Sequence, residues 1–173
     1  MLKPNILIEL ANLNDIDEII DLKQKVYDEM DNKEWYFIDS IDNKYLENIL
    51  NEEKGFVIKL TYNKKIIGFL IIILKLKEDS NIITYSNLKD KVKYCAELGN
   101  GAISSEYRGN KSLQKMILEA EKLIKNNNYK YILSTVHPDN KASLNSQLNL
   151  GYKILCRTKM YGDKDRDILI KEI

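Results

Sequence analysis

A short cationic turn, Arg108-Gly109-Asn110-Lys111-Ser112, stands directly before an amphipathic segment of the chain. The first turn of a helix leaves backbone N–H groups without intrahelical partners and carries the positive end of the helix dipole, so it can hold an anion. Arg108 and Lys111 add positive charge there, and Gly109 makes the turn flexible. These residues predict a phosphate-binding turn. Taken alone, they are equally compatible with a turn that only begins a helix.

The elements around this turn must position it. After the turn, apolar residues recur at helical spacing and predict a helix; they are Leu113, Met116, Ile117, Ala120, Leu123 and Ile124. Before the turn, the segment VKYCAELGNGAIS is strand-like but contains Gly99 and Gly101. Two glycines so close together in a strand indicate a bulge, or a place where a ligand or another backbone approaches closely. A site between this strand and this helix is therefore expected.

The rest of the chain alternates strand and helix patterns. Predicted strands are NILIEL (5–10), GFVIKLTY, KIIGFLIIILKL, YKYILSTV, the segment after Gly151 and RDILIKEI. Asn14 or Asp15 is expected to cap a first helix, and Asn140 to begin the last one. Asn63-Lys64-Lys65 predicts a hairpin turn, and 77–92 a polar connection. The order is β-α-α-β-β-β-α-β-α-β-β, an α+β fold, and we expect one domain over 1–173.

Composition excludes several classes of protein. The 27 Lys+Arg and 26 Asp+Glu residues leave a net charge of +1, which argues against a nucleic-acid partner. Two separated cysteines and one histidine predict neither a metal site nor a disulfide framework. No apolar run approaches the roughly 18 residues that cross a bilayer, and no leader is recognisable. A cytoplasmic protein with no membrane partner is expected, with charge runs such as GDKDRD (162–167) on solvated surfaces.

Two segments together resemble the GNAT family of acyl-CoA-dependent N-acetyltransferases. They are AISSEYRGNKSLQKMILEAEKLIK, from Ala102, and VHPDNKASLNSQLNLGYKI, from Val136. The element order also matches that family, so the resemblance covers nearly the whole chain, with its specific part between Ala102 and Tyr152. It implies a mostly antiparallel sheet of about seven strands with helices on both faces. It also implies direct transfer of an acetyl group from acetyl-CoA to a primary amine, without a metal.

The resemblance places the pyrophosphate of acetyl-CoA at the cationic turn, which in the family follows [Q/R]-x-x-G-x-[G/A]. Without a gap, Arg108 takes the first position, while Lys111 and Leu113 replace the two glycines. With one inserted residue, RGNKSLQ becomes a longer form of the related pattern R-G-N-G-L-Q. We favour the insertion, because Leu113-Gln114 then matches and Ser112 is small. The turn residues expected at the cofactor are Arg108, Gly109, Asn110, Lys111, Ser112, Leu113 and Gln114.

Other contacts follow from the same resemblance. The backbone of Ala102, Ile103 and Ser104 is expected to pair with the pantetheine arm, with the Ile103 amide donating to the acetyl carbonyl oxygen. Three residues of the second motif are expected at the cofactor as well: Asn140, Ser143 and Gln147. Asn140 could equally act only as a helix cap. Gln147 stands where many family members have the tyrosine that protonates the leaving thiolate, and Tyr161 is an alternative source of that proton.

Acetyl transfer requires a neutral amine. With an ordinary amine pKa near 10.4, deprotonation at pH 7.4 costs about 4 kcal/mol, so a base or a water relay is needed. Glu97, early in the strand that leads to the turn, is the best candidate, provided that burial or a carboxylate neighbour raises its pKa. A carboxylate with only a solvated or ion-paired structural role fits the same position.

The acceptor is not readable from the sequence. The aromatic residues Trp35-Tyr36-Phe37 fall where the family builds its acceptor pocket, although core packing explains them as well. Because Lys111 and Gln147 depart from the family pattern, a catalytically inactive acyl-CoA-binding sensor or scaffold is the alternative to an enzyme. A module that binds no cofactor is a weaker alternative. A homodimer is compatible with the resemblance.

Overall fold

The computed structural model describes residues 6–36, 41–51 and 53–173. The strands are β1 (Ile6–Leu10), β2 (Gly55–Tyr62), β3 (Lys65–Ile73), β4 (Cys95–Ile103), β5 (Tyr131–Val136), β6 (Lys153–Met160) and β7 (Lys164–Glu172). The helices are α1 (Ile16–Asp28), α2 (Asn43–Asn51), α3 (Asn81–Ser86), α4 (Ser112–Asn126) and α5 (Lys141–Leu148). Within the described ranges, no helix is both long and apolar enough to pass through a bilayer.

The seven strands form one sheet in the order β1-β2-β3-β4-β5-β7-β6. All neighbouring strands are antiparallel except β4 and β5. The predicted hairpin turn between β2 and β3 is confirmed and consists of Asn63 and Lys64, both with positive φ, while Lys65 pairs with Tyr62 as the first residue of β3. The predicted α+β class with a mostly antiparallel sheet is therefore confirmed.

Helices cover both faces of the sheet, as predicted. On one face, α4 buries its apolar stripe, which includes Met116 and Ile124, in a core with residues of β2, β3 and β4. On the other face, α1 and α2 bury Ile19 and Leu46 in a second core with Phe69 of β3. Asp15, one of the two residues predicted to cap the first helix, is the N-cap residue of α1, but its side chain makes no capping bond to α1. Its carboxylate instead accepts a hydrogen bond from Asn12 N, while the Asn12 side chain accepts one from Asn14 N, which forms a capping box on the preceding 3-10 turn, Leu13–Asp15.

The connection predicted as polar at 77–92 is partly helical. It contains α3 and a 3-10 helix, Lys89–Tyr94. Ile82 and Ile83 of α3 pack against Leu133 of β5 and Ile168 of β7, on the same face of the sheet as α1 and α2. A six-residue helix with two adjacent buried apolar residues has no helical periodicity to read, and its packing on distant strands stabilises it instead.

The glycine-containing strand β4 is irregular, as predicted. Leu70 of β3 pairs with Gly101 and Ile72 pairs with Leu98, so Gly99 and Asn100 together oppose the single residue Ile71. On its other edge, β4 pairs with β5 only from Cys95 to Leu98. Beyond the bulge, the two parallel strands separate, and a cleft opens between them.

Candidate active site

A cavity of about 490 Å³ occupies the separation between β4 and β5 and extends to the start of α4. Its lining includes most of the residues that the sequence predicts at the cofactor: Ala102, Ile103, Arg108, Gly109, Lys111, Ser112, Leu113, Gln114, Asn140, Ser143 and Gln147. Residues distant in sequence therefore converge on one cavity. We call it the first cavity.

The backbone of Ile103 faces this first cavity. Ser104 N donates to Ile67 O of β3 at 2.9 Å. Because an antiparallel ladder alternates hydrogen-bonded and non-hydrogen-bonded pairs, the preceding residue, Ile103, directs its N–H and C=O away from β3, to the edge from which β5 has separated. Arg108 Nε donates to the Ile103 carbonyl at 3.0 Å on that side. The Ile103 N–H is thus a fixed donor in the cleft.

Two of the predicted cofactor residues do not line the first cavity. Ser104 has its N–H bonded to Ile67 O and its carbonyl bonded to Tyr107 N, so its backbone cannot pair with a ligand in the cleft. Asn110 lies in the turn but outside the lining. Ala102 lines the cavity, yet the same alternation turns its N–H and C=O towards β3. Of the three strand residues predicted to pair with the pantetheine arm, only Ile103 presents its backbone to the cleft.

The cationic turn ends with Lys111 as the N-cap residue of α4, in the left-handed region with φ +57°. Lys115 N donates to Lys111 O at 3.0 Å, which is the first bond of the helix. The amides of Ser112, Leu113 and Gln114 come before that bond and have no intrahelical partner. All three residues line the cavity. The left-handed conformation of Lys111 is the one that a glycine adopts, which favours the alignment without an insertion over the one preferred from the sequence.

Replacing Lys111 with glycine is expected to stabilise the free protein by about 0.5–1 kcal/mol. A non-glycine residue in the left-handed region costs about 1–2 kcal/mol, and the greater freedom of glycine in the unfolded chain offsets part of the relief. Urea unfolding without ligand measures the change. Asn110→Gly is the matched control, because Asn110 does not have positive φ. Equal destabilisation by both substitutions would contradict the assignment of strain to Lys111.

The second motif begins α5 beside the same cavity. Asn140 Oδ1 accepts a hydrogen bond from Ser143 N at 3.2 Å, so the predicted cap is present and the amide nitrogen of Asn140 stays available to a ligand. Gln147 is 5% exposed, and its Oε1 has no hydrogen-bond partner among the described residues. A buried polar atom without a partner, at the edge of a cleft, fits a hydrogen bond to a bound molecule.

A second cavity of about 320 Å³ adjoins the first on the sheet face that carries α1, α2 and α3. The two cavities share lining residues at the bulge and beside it: Trp35, Leu98, Gly99, Asn100 and Thr135. Glu97 lines only the second cavity, with Tyr45, Tyr161 and Arg166. The strand β4 therefore presents the Ile103 amide to one cavity and Glu97 to the other.

Glu97 meets the condition expected of a general base, which is that burial raises its pKa. Its carboxylate makes no hydrogen bond or ion pair with any described residue, and it is only partly exposed, into the second cavity. Burial raises the pKa of Glu97 from 4.5 to about 7. Burial also raises the pKa of Tyr45 to about 12, with a smaller contribution from Glu97. A carboxylate with a pKa near neutrality can accept a proton at working pH and release it again.

The charge run GDKDRD is not wholly a solvated surface, contrary to the sequence prediction. Arg166 is 3% exposed and Asp167 is 1% exposed. Asp167 accepts two hydrogen bonds from Arg157, at 2.7 and 3.0 Å, across the β6–β7 hairpin. A run of charged residues beside a turn predicts a solvated surface from the sequence alone. In the structure, Arg166 and Asp167 are buried because they belong to β7 and pair with β6.

A sequence model of the acetyltransferase (GNAT) family matches residues 16–152. The chain belongs to this family. The match includes β4, the cationic turn and α5, which are the GNAT elements that build the first cavity. A search of curated protein sequences finds no match.

Solved GNAT structures share the fold along the whole chain. An acetyltransferase of the GNAT family from Streptococcus pneumoniae is 19% identical, with a TM-score of 0.77 and coverage of 98% of this chain and 99% of that chain. NAA60 from Arabidopsis thaliana, solved with acetyl-CoA, is 13% identical with a TM-score of 0.76 and coverage of 98% and 99%. YncA from Salmonella typhimurium, solved with its cofactor acetyl-CoA, is 12% identical with a TM-score of 0.74 and coverage of 96% and 93%. At these identities, the similarity shows the GNAT fold alone.

Most residues that line the second cavity of this GNAT chain were not predicted from the sequence. Of the aromatic residues predicted near the acceptor, Trp35 lines both cavities and Tyr36 lines the first, while Phe37 lies outside the described residues. Tyr45, Thr135 and Arg166 carried no local signal, because each belongs to a different element and only the tertiary fold brings them together. Tyr161, considered as an acid, lines the second cavity, 3.3 Å from Thr135 Oγ1.

Proposed function

We propose that this protein is an N-acetyltransferase that moves an acetyl group directly from acetyl-CoA to a primary amine. One observation carries the proposal: β4 directs a free backbone N–H at Ile103 into the first cavity and a free carboxylate at Glu97 into the second, and the cavities meet at the bulge between them. A donor for a carbonyl oxygen and a base for an amine are thus held on one rigid strand.

Three features of the first cavity support acetyl-CoA as its ligand. The start of α4 offers three amides without helical partners, beside the cations Arg108 and Lys111, which suits a pyrophosphate. The cleft between β4 and β5 offers the Ile103 N–H and the unpartnered Oε1 of Gln147 to an arm that contains amide groups. Two of the solved structures with this fold carry acetyl-CoA.

Acetyl-CoA supplies the acetyl group as a thioester, so the bond from the acceptor nitrogen to carbon forms as the C–S bond breaks. Glu97 takes the proton that the amine must lose, directly or through water. The Ile103 N–H donates to the acetyl carbonyl oxygen and stabilises the negative charge that develops there. Gln147 cannot protonate the departing sulfur, which leaves as a thiolate with an ordinary pKa near 8.5 and takes its proton from water.

A turnover assay tests the proposal. The protein is incubated with acetyl-CoA and a panel of amines, including small metabolite amines, amino acids and peptides with a free N-terminus. Amine-dependent release of CoA thiol, together with a mass increase of one acetyl group on the amine, is the expected result. Stable binding of CoA without turnover on any amine would indicate the inactive acyl-CoA sensor instead, for which Gln147 at the usual acid position is the motivating residue.

A further inference from the structure

Arg166 is a buried cation that makes no ion pair with any carboxylate of the described residues, although the charges of Glu34 and Asp165 favour its charged form from a greater distance. Among the described residues, its guanidinium donates only to two backbone carbonyls, Asp165 O at 2.7 Å and Glu34 O at 2.9 Å, and lies 5.5 Å from the centre of the Tyr161 ring. Arginine is rarely so buried unless it is paired, because removing its charge from water is unfavourable. On the same hairpin, Arg157 shows the usual arrangement, with a bidentate carboxylate at Asp167.

Other donors without partners surround the same space. The indole nitrogen of Trp35 and the hydroxyl oxygen of Ser80 are buried and have no hydrogen-bond partner among the described residues, and both side chains line the second cavity with Arg166. Ser80 is the N-cap residue of α3, yet its side chain makes no capping bond. A wall that contains a cation and unpaired donors is suited to an anionic group.

The only carboxylate that lines the described part of this cavity is Glu97. It makes no ion pair with Arg166, so the cavity holds an acidic group and a cationic group that are not paired with each other. A molecule that carries both an amine and a carboxylate complements this arrangement, with its amine at Glu97 and its carboxylate at Arg166. A cavity of about 320 Å³ suits a small molecule.

We propose that the acceptor is a small amino acid, whose carboxylate is bound by Arg166 with Trp35 and Ser80 while its amine is directed to Glu97. The proposal rests on the proposed acetyl transfer and names its substrate class. Arg166 would then determine specificity rather than take part in the chemistry. Burial lowers the pKa of Arg166 below its ordinary value, although the guanidinium stays charged at neutral pH.

The test compares matched amines in the acetyl-CoA turnover assay. Each set contains an amino acid, its carboxamide and its decarboxylated amine, and the sets cover α-, β-, γ- and longer amine–carboxylate spacings. For at least one spacing, the wild-type protein is expected to prefer the carboxylate over the carboxamide by about tenfold or more in kcat/KM, mainly through KM. A preference of the reverse sign, or no preference in any set while amines are acetylated, would overturn the substrate class and leave the proposed function intact.

Arg166→Gln is expected to bring the ratio of carboxylate to carboxamide close to one, and Arg166→Lys to retain part of the preference. The ratio is measured within each variant, so partial loss of folded protein does not affect it. Lys159→Gln is the matched control, because it removes a positive charge from an exposed position on the same hairpin, and it should leave the ratio unchanged. An unchanged preference in Arg166→Gln would show that Arg166 only anchors Glu34 and would overturn the proposal.

The two failures can be told apart. Absence of thermal stabilisation by acetyl-CoA, and of thiol release with every amine, would refute the proposed acetyl transfer itself. Stabilisation and turnover without a carboxylate preference would refute only the amino-acid acceptor. A thermal shift by the free amino acid in the presence of CoA, lost in Arg166→Gln but kept in Lys159→Gln, would support the acceptor assignment without reliance on turnover.

Discussion

Glu97→Gln is expected to lower kcat/KM for the amine by about 10²–10⁴-fold, which is the usual contribution of a positioned general base. Glutamine keeps the shape of the side chain but cannot accept the proton. Because burial sets the pKa of Glu97 near 7, wild-type activity should rise through an inflection near that pH as the carboxylate ionises. The variant should lose this inflection and keep only the increase with pH that comes from the amine itself.

The same substitution should make the protein more stable at high pH. The pKa of Glu97 is about 7 in the folded state, above its ordinary 4.5, so between these values the folded protein holds a proton that the unfolded chain has released. Stability therefore falls as pH rises through this range, by up to about 3 kcal/mol. Glutamine does not ionise, so the variant does not lose stability in this way. The variant and the wild type should have similar free energies of unfolding near pH 4.5. Towards about pH 8 the two values should diverge, with the variant more stable.

Urea unfolding across this pH range, combined with pH–rate profiles, checks both effects. Glu106→Gln is the matched control, because Glu106 is an exposed carboxylate outside both cavities. Lower activity together with higher stability is the signature of a carboxylate that is buried for catalysis. If Glu97→Gln retains turnover and the inflection near pH 7, another group is the base.

Ile103→Pro is expected to lower kcat by about 10²–10³-fold while the fold is kept. Proline removes one backbone N–H, and at this position that N–H faces the cleft rather than β3, so no bond of the β3–β4 ladder is lost. The loss corresponds to that of one donor to a developing negative oxygen. Single-turnover kinetics at saturating acetyl-CoA separate this effect from weaker binding.

Two further variants test in which direction the backbone amides of Ala102 and Ile103 point. Ile103→Val alters the side chain but keeps the amide, so its turnover should stay close to that of the wild type. Ala102→Pro removes an amide that faces β3 and should destabilise the fold strongly. Full turnover in a folded Ile103→Pro protein would show that this amide has no part in catalysis.

Local patterns in the sequence were sufficient to predict the parts of the site that lie on single elements. The stripe from Leu113 to Ile124 predicted α4, and the two glycines predicted the bulge in β4 that opens the cleft. Asn140 caps α5 as expected. Each of these features depends on residues only a few positions apart, and their physical causes, helical periodicity, glycine geometry and capping, act at that range.

Features that depend on tertiary packing could not be read in the same way. The short helix α3 exists because Ile82 and Ile83 pack on β5 and β7, and Arg166 is buried because the β6–β7 hairpin turns it towards α3 and the segment around Trp35. The direction of the Ile103 amide depends on the register of β4 with β3, which no local pattern specifies. Almost all the residues that line the second cavity are brought together by such long-range packing.

Thermal unfolding of the protein with acetyl-CoA, CoA and dephospho-CoA tests most directly whether the cleft between β4 and β5 binds the cofactor. A ligand at about a hundred times its Kd should add about 2.7 kcal/mol of stability, seen as a concentration-dependent rise in Tm. We expect this rise with acetyl-CoA and with CoA. The absence of a rise with any of the three would show that the turn from Arg108 to Gln114 holds no pyrophosphate, and would contradict the assignment of this cleft as the cofactor site.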